Sequence, residues 1–293
     1  MKNPSLVGLT GCILLLASIH SNAALADDPL TIVVTASRGA ETVDESMVPV
    51  TIIGPEEIEQ SGAFSVAGIL HRVPGIVVSN NGGPGKTTSV FLRGTESDHI
   101  LVLIDGVKVG SASLGTTAFQ DIPLSMIEKI EAVRGPRSSL YGSEAIGGVI
   151  QIFTKKGTAG YFTPSFRTAL GSHSSYDVQA GASAGDSSGW FNVNASAAST
   201  DGFNACRGDF SAGCFTVEPD EDSYSNESLN LRGGGQVSER VNLESSLFSS
   251  SNKNQYDGSF QNEGETDIQI LQVKGIFAAT QNWESSLQVS KTT

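Results

Sequence analysis

Positive charge is scarce in this sequence. Of 293 residues, 18 are Lys or Arg against 31 Asp or Glu, a formal net charge of −13. Sequence-independent binding to nucleic acid needs a surplus of cations to displace counterions, so that class of function is excluded. Long apolar runs are also wanting. Residues 6–19 form one, but it falls short of the ~20 residues of a membrane-spanning helix. Histidine is sparse and dispersed. His20, His71, His99 and His173 stand singly, and none completes a Ser/His/Asp set or a metal pair. With no nucleophile or acid–base pair in place, the chain reads as a non-enzyme. Cysteine is nearly absent: Cys12, Cys206 and Cys214.

What is present begins with a secretory signature at 1–26. Lys2 supplies the positive start, 6–19 the apolar run, and Ala24-Leu25-Ala26 the small residues of a cleavage site. A lipoprotein reading of Leu9-Thr10-Gly11-Cys12 fits poorly, because most of the apolar run follows that cysteine. Export implies an oxidising compartment, where Cys206 and Cys214 are expected to pair as a disulfide. Free thiols are the alternative; metal ligation is disfavoured because no histidine accompanies them. The 33 glycines follow no fixed period. With abundant Ser, Ala, Asn and Thr they point to a β-rich chain of small side chains.

The rest divides into three stretches. Residues 27–47 are polar except for the island Leu30, Thr31, Ile32, Val33, Val34, Thr35 and Ala36. That island suits either an edge strand or a segment that pairs with a partner's sheet by strand addition. Residues 48–157 read as a compact α/β unit: a strand at 48–53, a helix opened by Gly54-Pro55-Glu56-Glu57, and a second helix capped by Ser65 and running to about Arg72. Strands follow at 76–79, 89–93 and 100–104, a tight Asp105-Gly106 turn into 107–109, a helix-to-strand passage at 125–131 and a last strand at 148–154. From 158 to 293 apolar and polar residues alternate in stretches of about ten. Tyr176, Val178, Ala180 and Ala182 interleave with Asp177, Gln179, Gly181 and Ser183. A soluble sandwich and a transmembrane barrel both alternate this way. The connections favour the barrel, since short ones (185–189, 238–240) alternate with long ones (200–225, 253–266). About seven strands are counted, too few to close, so the chain reads as an N-terminal fragment of a larger barrel.

Three local motifs have a functional and a plainer reading. Asn80-Asn81-Gly82-Gly83-Pro84-Gly85-Lys86-Thr87 resembles a phosphate-binding loop, but Asn80 stands where a glycine is required and Pro84 removes a backbone donor, so a flexible loop is the better reading. Arg207-Gly208-Asp209 is short enough to arise by chance. Glu218, Asp220 and Asp222 alternate in the first long connection, a spacing that suits either calcium or a merely solvated acidic loop.

The run from Ile127-Glu128-Lys129-Ile130-Glu131 through Val133-Arg134-Gly135-Pro136-Arg137 to Tyr141-Gly142-Ser143-Glu144-Ala145-Ile146-Gly147-Gly148 strongly resembles the end of a TonB-dependent receptor plug. Phe91-Leu92-Arg93-Gly94, Val102-Leu103-Ile104-Asp105-Gly106-Val107 and Leu70-His71-Arg72-Val73-Pro74-Gly75 look like further plug signatures in the family's order, and Leu30 to Ala36 looks like its TonB box. The resemblance implies an α/β plug domain followed by an antiparallel transmembrane β-barrel in the bacterial outer membrane, incomplete in this chain. It also implies the inner-membrane protein TonB as energy-transducing partner. Within the family the likeness is to the cobalamin receptor, with no insertion between Asn81 and Gln151. That likeness implies import of cobalamin or a related corrinoid, with a ferric siderophore or haem as the alternative. It matches Thr87, Ser89, Glu96, Leu114 and Gly115 to ligand-contacting positions. It matches Asn204, Glu218, Asp220, Asp222, Tyr256, Asp257 and Glu265 to a structural calcium site, where Asn204 replaces a carboxylate, Glu218 an amide and Glu265 an aspartate.

Overall fold

The computed structural model describes residues 33–34, 41–42, 48–63, 65–111, 115–157, 160–212, 214–258, 260–280 and 283–293. The expected signal 1–26, the box residues Leu30, Thr31, Ile32, Thr35 and Ala36, and Leu114 lie outside the described residues. Within the island, β1 (Val33–Val34) pairs antiparallel with β2 (Glu41–Thr42), Val33 opposite Thr42.

The α/β unit starts with β3 (Val50–Ile53) and α1 (Pro55–Ser61). Pro55 opens α1, Glu56 and Glu57 sit in its first turn, and Gly62 closes it in the left-handed region at φ 64°. The Ser65 side chain accepts from Gly68 N to cap α2 (Val66–Leu70). That helix ends before the expected Arg72. Val73 precedes Pro74, which disfavours helical backbone there, and Arg72 and Val73 donate instead to Ile69 and Leu70 in a tighter turn. Next come the paired β4 (Ile76–Asn80) and β5 (Thr88–Leu92), then β6 (Ile100–Ile104) and β7 (Val107–Val109). β6 and β7 are joined by Asp105 and Gly106 at φ 48° and 81°, the two positive angles a two-residue hairpin turn requires. A single 3-10 turn (Leu124–Met126) leads into β8 (Ile127–Arg134); α3 (Ser138–Tyr141) and β9 (Gly148–Thr154) complete the unit. The five-stranded sheet has the order β3-β8-β9-β6-β7, with β6 and β9 parallel.

Every residue of β6 is buried, because both faces of this sheet are covered. Val102 and Ile104 enter the main core with Ile69, Leu70, Met126, Ile130, Ile150 and Ile152. Leu101 and Leu103 join Val133, Ala145 and Val149 in a smaller cluster on the other face.

The second assembly is a seven-stranded antiparallel meander: β10 (Thr163–Leu170), β11 (Tyr176–Gly185), β12 (Gly189–Thr200), β13 (Tyr224–Ser238), β14 (Val241–Gln255), β15 (Glu263–Thr280) and β16 (Trp283–Thr292). It is an open sheet with β10 and β16 at its edges. Its burial is the reverse of a soluble sheet. In β12, Asn192, Asn194 and Ser196 are 6–9% exposed while Phe191 and Val193 are 43% and 37% exposed. In β13 the buried set is Asn226, Ser228, Asn230 and Arg232. The polar face therefore packs on the α/β unit and the apolar face looks outward, which suits lipid on that side.

The connections 171–175, 201–223 and 256–262 share one rim, and 186–188 and 239–240 the other. The second long connection is shorter than expected. Gln255–Glu263, Asn254–Gly264 and Lys253–Glu265 extend the β14–β15 ladder, so only 256–262 are loop. Polar side chains on those last pairs hid the strand ends from a reading based on alternation. Likewise Ser225 pairs with Ser199 inside the sheet.

Candidate ligand and cation site at the long-loop rim

Among the expected ligand positions, Thr87 and Glu96 are exposed and Ser89 is half-buried. Ser89 lies on β5, and the Ser97 hydroxyl accepts from Val90 N (2.9 Å) and donates to Val90 O (2.7 Å), which seats Glu96 beside that strand. Gly115 closes on Ser111 and lies against Asp98. Thr87, Ser89, Glu96 and Gly115 thus belong to neighbouring turns and strands of the α/β unit.

The loops of the sheet supply the acids. Glu218, Asp220 and Asp257 each place a carboxylate oxygen within 4.8 Å of the others. Asp257 Oδ2 is buried with no hydrogen-bond partner among the described residues. Desolvation raises its pKa above the ordinary carboxylate range, and the charges of Asp222, Glu218 and Asp220 push the same way. Asp222 is buried beside this group, its Oδ2 accepting from Ala205 N at 2.8 Å. Asn204 is engaged otherwise: its Nδ2 donates to Glu218 O and its Oδ1 accepts from Cys206 N. Tyr256 N donates to Asn262 O at 2.8 Å, closing the shorter loop. Glu265 stands apart, in β15 and 3.7 Å from Lys253. Cys206 and Cys214 are joined, Cα to Cα 5.3 Å, and tighten the 201–223 loop that carries Glu218 and Asp220.

Two features escaped the sequence reading. One is Lys86, buried under the acidic loops. The other is an ion pair between the two assemblies. Arg232 Nη1 of β13 donates to Asp105 Oδ1 at 2.9 Å and to Thr154 O at 2.8 Å, and both charged side chains are 7% exposed. Thr154 Oγ1 donates to Asp105 Oδ2 at 2.6 Å. Glu244 sits 3.6 Å from Arg232 and 3.4 Å from Lys156. Most other bonds across the seam end on main-chain carbonyls of the α/β unit: Ser250 to Asp121 O (2.7 Å), Asn254 to Gly85 O (3.1 Å), Gln272 to Asp105 O (3.3 Å). Arg232 falls in the inward polar set, but sequence spacing alone did not show which partner it met.

The profile of the TonB-dependent receptor plug domain matches residues 42–149. A vitamin B12 transporter of Photobacterium profundum is 36% identical over 229 residues, covering 78% of this chain and 36% of that protein. The chain belongs to the TonB-dependent receptors. A vitamin B12 transporter of Vibrio cholerae is 42% identical over 154 residues, 53% of this chain and 25% of that one. The chain thus spans about a third or less of the length of these curated relatives. Among solved structures, the ferripyoverdine receptor of the Pseudomonas aeruginosa outer membrane superposes with a TM-score of 0.73 at 14% identity, over 88% of this chain and 35% of that one. The siderophore receptor PirA of Acinetobacter baumannii gives 0.66 at 21%, over 85% and 40%. At such identities the likeness speaks for the fold alone. In this TonB-dependent receptor the α/β unit is the plug and the seven strands are barrel wall. Its place is the outer membrane, and no helix among the described residues is long and apolar enough to cross one.

Proposed function

We propose that this TonB-dependent receptor imports cobalamin or a related corrinoid. The carrying observation is the reach of the likeness: it extends over 229 residues to a vitamin B12 transporter, whereas the plug profile accounts for residues 42–149. Likeness of fold would not separate ligands, because the siderophore receptor PirA and the ferripyoverdine receptor share this fold. Thr87, Ser89, Glu96, Leu114 and Gly115 are the plug's share of the ligand surface in this reading. Deleting the complete gene is expected to abolish growth on limiting cobalamin and leave growth on ferric siderophores or haem unchanged. Loss of growth on an iron source instead would replace the corrinoid by an iron chelate.

Energy coupling is assigned to Leu30–Ala36 with TonB as partner. β1 holds its neighbour by a two-residue ladder, a small loss if a TonB strand takes its place. Proline at Val33 removes a ladder donor. Val33→Pro is expected to abolish uptake while surface binding persists; normal uptake by this variant removes the assignment.

Calcium is proposed at the loop acids. The donors are all oxygens, and Glu218, Asp220 and Asp257 repel one another without a cation. Asp222, Asn204, Tyr256 and Glu265 complete the implied set, although the Asn204 amide is already bonded and Glu265 faces Lys253. Calcium tolerates loose geometry with ~6–8 oxygens, so it suits two loops better than magnesium does. Ordered loops lower the entropy cost of capture, so calcium is expected to tighten cobalamin about tenfold. Equal affinity in calcium, magnesium and chelator at matched ionic strength would sink this assignment.

A further inference from the structure

The glycine-rich stretch 80–86 precedes the proposed ligand position Thr87. It forms the tip of the β4–β5 hairpin, and it is packed rather than free. A Cβ on Gly82 would come within 2.8 Å of Ala205, one on Gly83 within 3.1 Å of the Phe203 ring, and one on Gly85 within 2.0 Å of the Tyr224 ring. All three glycines have positive φ, of 131°, 135° and 73°. Asn80 fixes the tip from within: Oδ1 accepts from Gly82 N and Gly83 N, and Nδ2 donates to Lys86 O and Thr88 Oγ1. The glycines therefore let the plug tip press against the roots of the outer loops.

That approach drives the Lys86 side chain inward, where the residue is 3% exposed. Its Nζ donates to Asp222 O at 3.3 Å and to Gln255 O. Asp222 lies at the end of the 201–223 loop, and Gln255 is the last residue of β14 before the 256–262 loop. The two roots are tied to each other as well, Gln255 N to Ser223 O at 2.9 Å and Ser223 Oγ to Gln255 Oε1 at 2.6 Å. Burial lowers the Lys86 pKa from its ordinary value, and the charges of Asp222 and then Asp257 offset part of that.

We infer that Lys86 is a positioning residue that docks both acidic loops onto the plug, serving as their resident cation. It touches the roots of both loops at once, so plug and loop positions are mechanically joined there. The inference rests on the proposed cation site for one of its two readouts only. A neutral, non-donating side chain would leave two carbonyls and the acids without their counter-group. A neutral donor would keep part of the tether and remove the charge.

The test uses the receptor expressed from the complete gene, purified as wild type, Lys86→Met, Lys86→Gln and Lys86→Arg. In chelator, limited proteolysis within 201–223 and 256–262 is expected to run about tenfold faster in Lys86→Met than in wild type, at a net loss of ~1–2 hydrogen bonds to a charged group. Lys86→Arg should stay near wild type. In a calorimetric titration with calcium chloride, Lys86→Gln is expected to bind about fivefold more tightly, because a fixed positive charge no longer opposes the ion. A merely space-filling lysine would not move that value. Equal protection of wild type and Lys86→Met in chelator overturns the inference, as does a Lys86→Gln variant that binds calcium no more tightly than wild type. If wild type takes up no calcium, the cation reading fails and the chelator comparison alone decides Lys86.

Discussion

The plug and the wall use the same amino-acid alphabet with opposite polarity. In the plug sheet most buried positions are Ile, Leu and Val, with Glu131, Gln151 and Thr154 among the exceptions, and β6 is apolar on both faces. In the wall the buried positions are Asn, Ser and Arg, and the apolar residues look outward. Each arrangement answers to its surroundings. The plug must hold itself together in water, so it hides apolar surface. The wall has lipid on one side and a folded domain on the other, so its apolar face needs no partner within the chain. Two exceptions sharpen the contrast: Phe248 and Ile270 point inward from the wall and join the plug's own core. The seam is therefore mostly neutral and polar, with a small apolar contact and one buried ion pair, Arg232–Asp105.

The largest expected effect comes from breaking that pair. Arg232→Met leaves Asp105 buried with Thr154 as its remaining partner, and removal of one member of a buried pair typically costs ~3–5 kcal/mol. Plug release by urea, followed by protease access, should occur at clearly lower denaturant. Adding Asp105→Asn to Arg232→Met should recover much of the loss, since the uncompensated charge is gone. An unchanged midpoint in Arg232→Met would show that the seam is held by its apolar and neutral contacts alone.

Asp121 tests the plug's side of the seam. Its main-chain oxygen is taken by Asn226 and Ser250 of the wall, while the residue is 3% exposed and its carboxyl is reached by Gln120 at 3.5 Å. Desolvation raises its pKa to about 7 from 3.8. The folded state then holds a proton that the unfolded chain has lost, so stability is present below about pH 4 and falls as pH rises through 7. The full shift corresponds to at most about 4 kcal/mol. Asp121→Asn should flatten the plug's urea midpoint between pH 4 and 8 and raise it at pH 8. A wild-type midpoint that rises across this range would contradict the buried-carboxyl account.

The legibility of the sequence follows the same division. Plug strands such as β6, and the Asp105-Gly106 turn between it and β7, could be read directly, because a buried strand and a two-residue turn each have local signatures. The alternation in β11 and β12 was equally plain, but it fitted a sandwich as well as a barrel, since period two says nothing about what lies on either face. Strand ends at the loop rim were obscured because Lys253 to Gln255 are polar on both faces and Glu263 to Glu265 carry no apolar side chain. Of the candidate site, the alternating acids Glu218 and Asp220 were legible, whereas Asp257, which another loop brings to them, followed only from the family resemblance. Lys86 was illegible, because its role depends on close approach by three glycines that looked like flexibility.

The wall's outward face offers a smaller, sharper test. Val193 looks outward beside the buried Asn192 and Asn194. In a water-facing sheet an arginine there would be nearly neutral, whereas near the midplane of a bilayer it costs ~2–4 kcal/mol. Val193→Arg should therefore fold less completely into lipid vesicles than wild type, while Ser196→Ala on the inward face should not. Equal folding yields for Val193→Arg and wild type would place that face outside the lipid core.

The smallest effect belongs to the disulfide, because it acts on one loop of the wall and on neither core. Cys206 and Cys214 are eight residues apart, and closing so short a loop removes entropy worth about 2–3 kcal/mol from the open state of that segment. Phe210 and Phe215 sit in or just beyond the closed loop, 5.8 Å apart edge to face and largely exposed, so the bridge also holds two aromatic rings at the rim. Reduction should loosen that segment and weaken binding of the proposed ligand, cobalamin, a few-fold, since a smaller fraction of loop conformations would present the acids together. The plug's urea midpoint should not change, because none of its buried contacts involves this loop tip. The comparison needs the bridge to exist in the exported protein. Peptide mass spectrometry after alkylation without reduction should find Cys206 and Cys214 linked; two alkylated thiols there would remove the bridge and with it the expected effect of reductant.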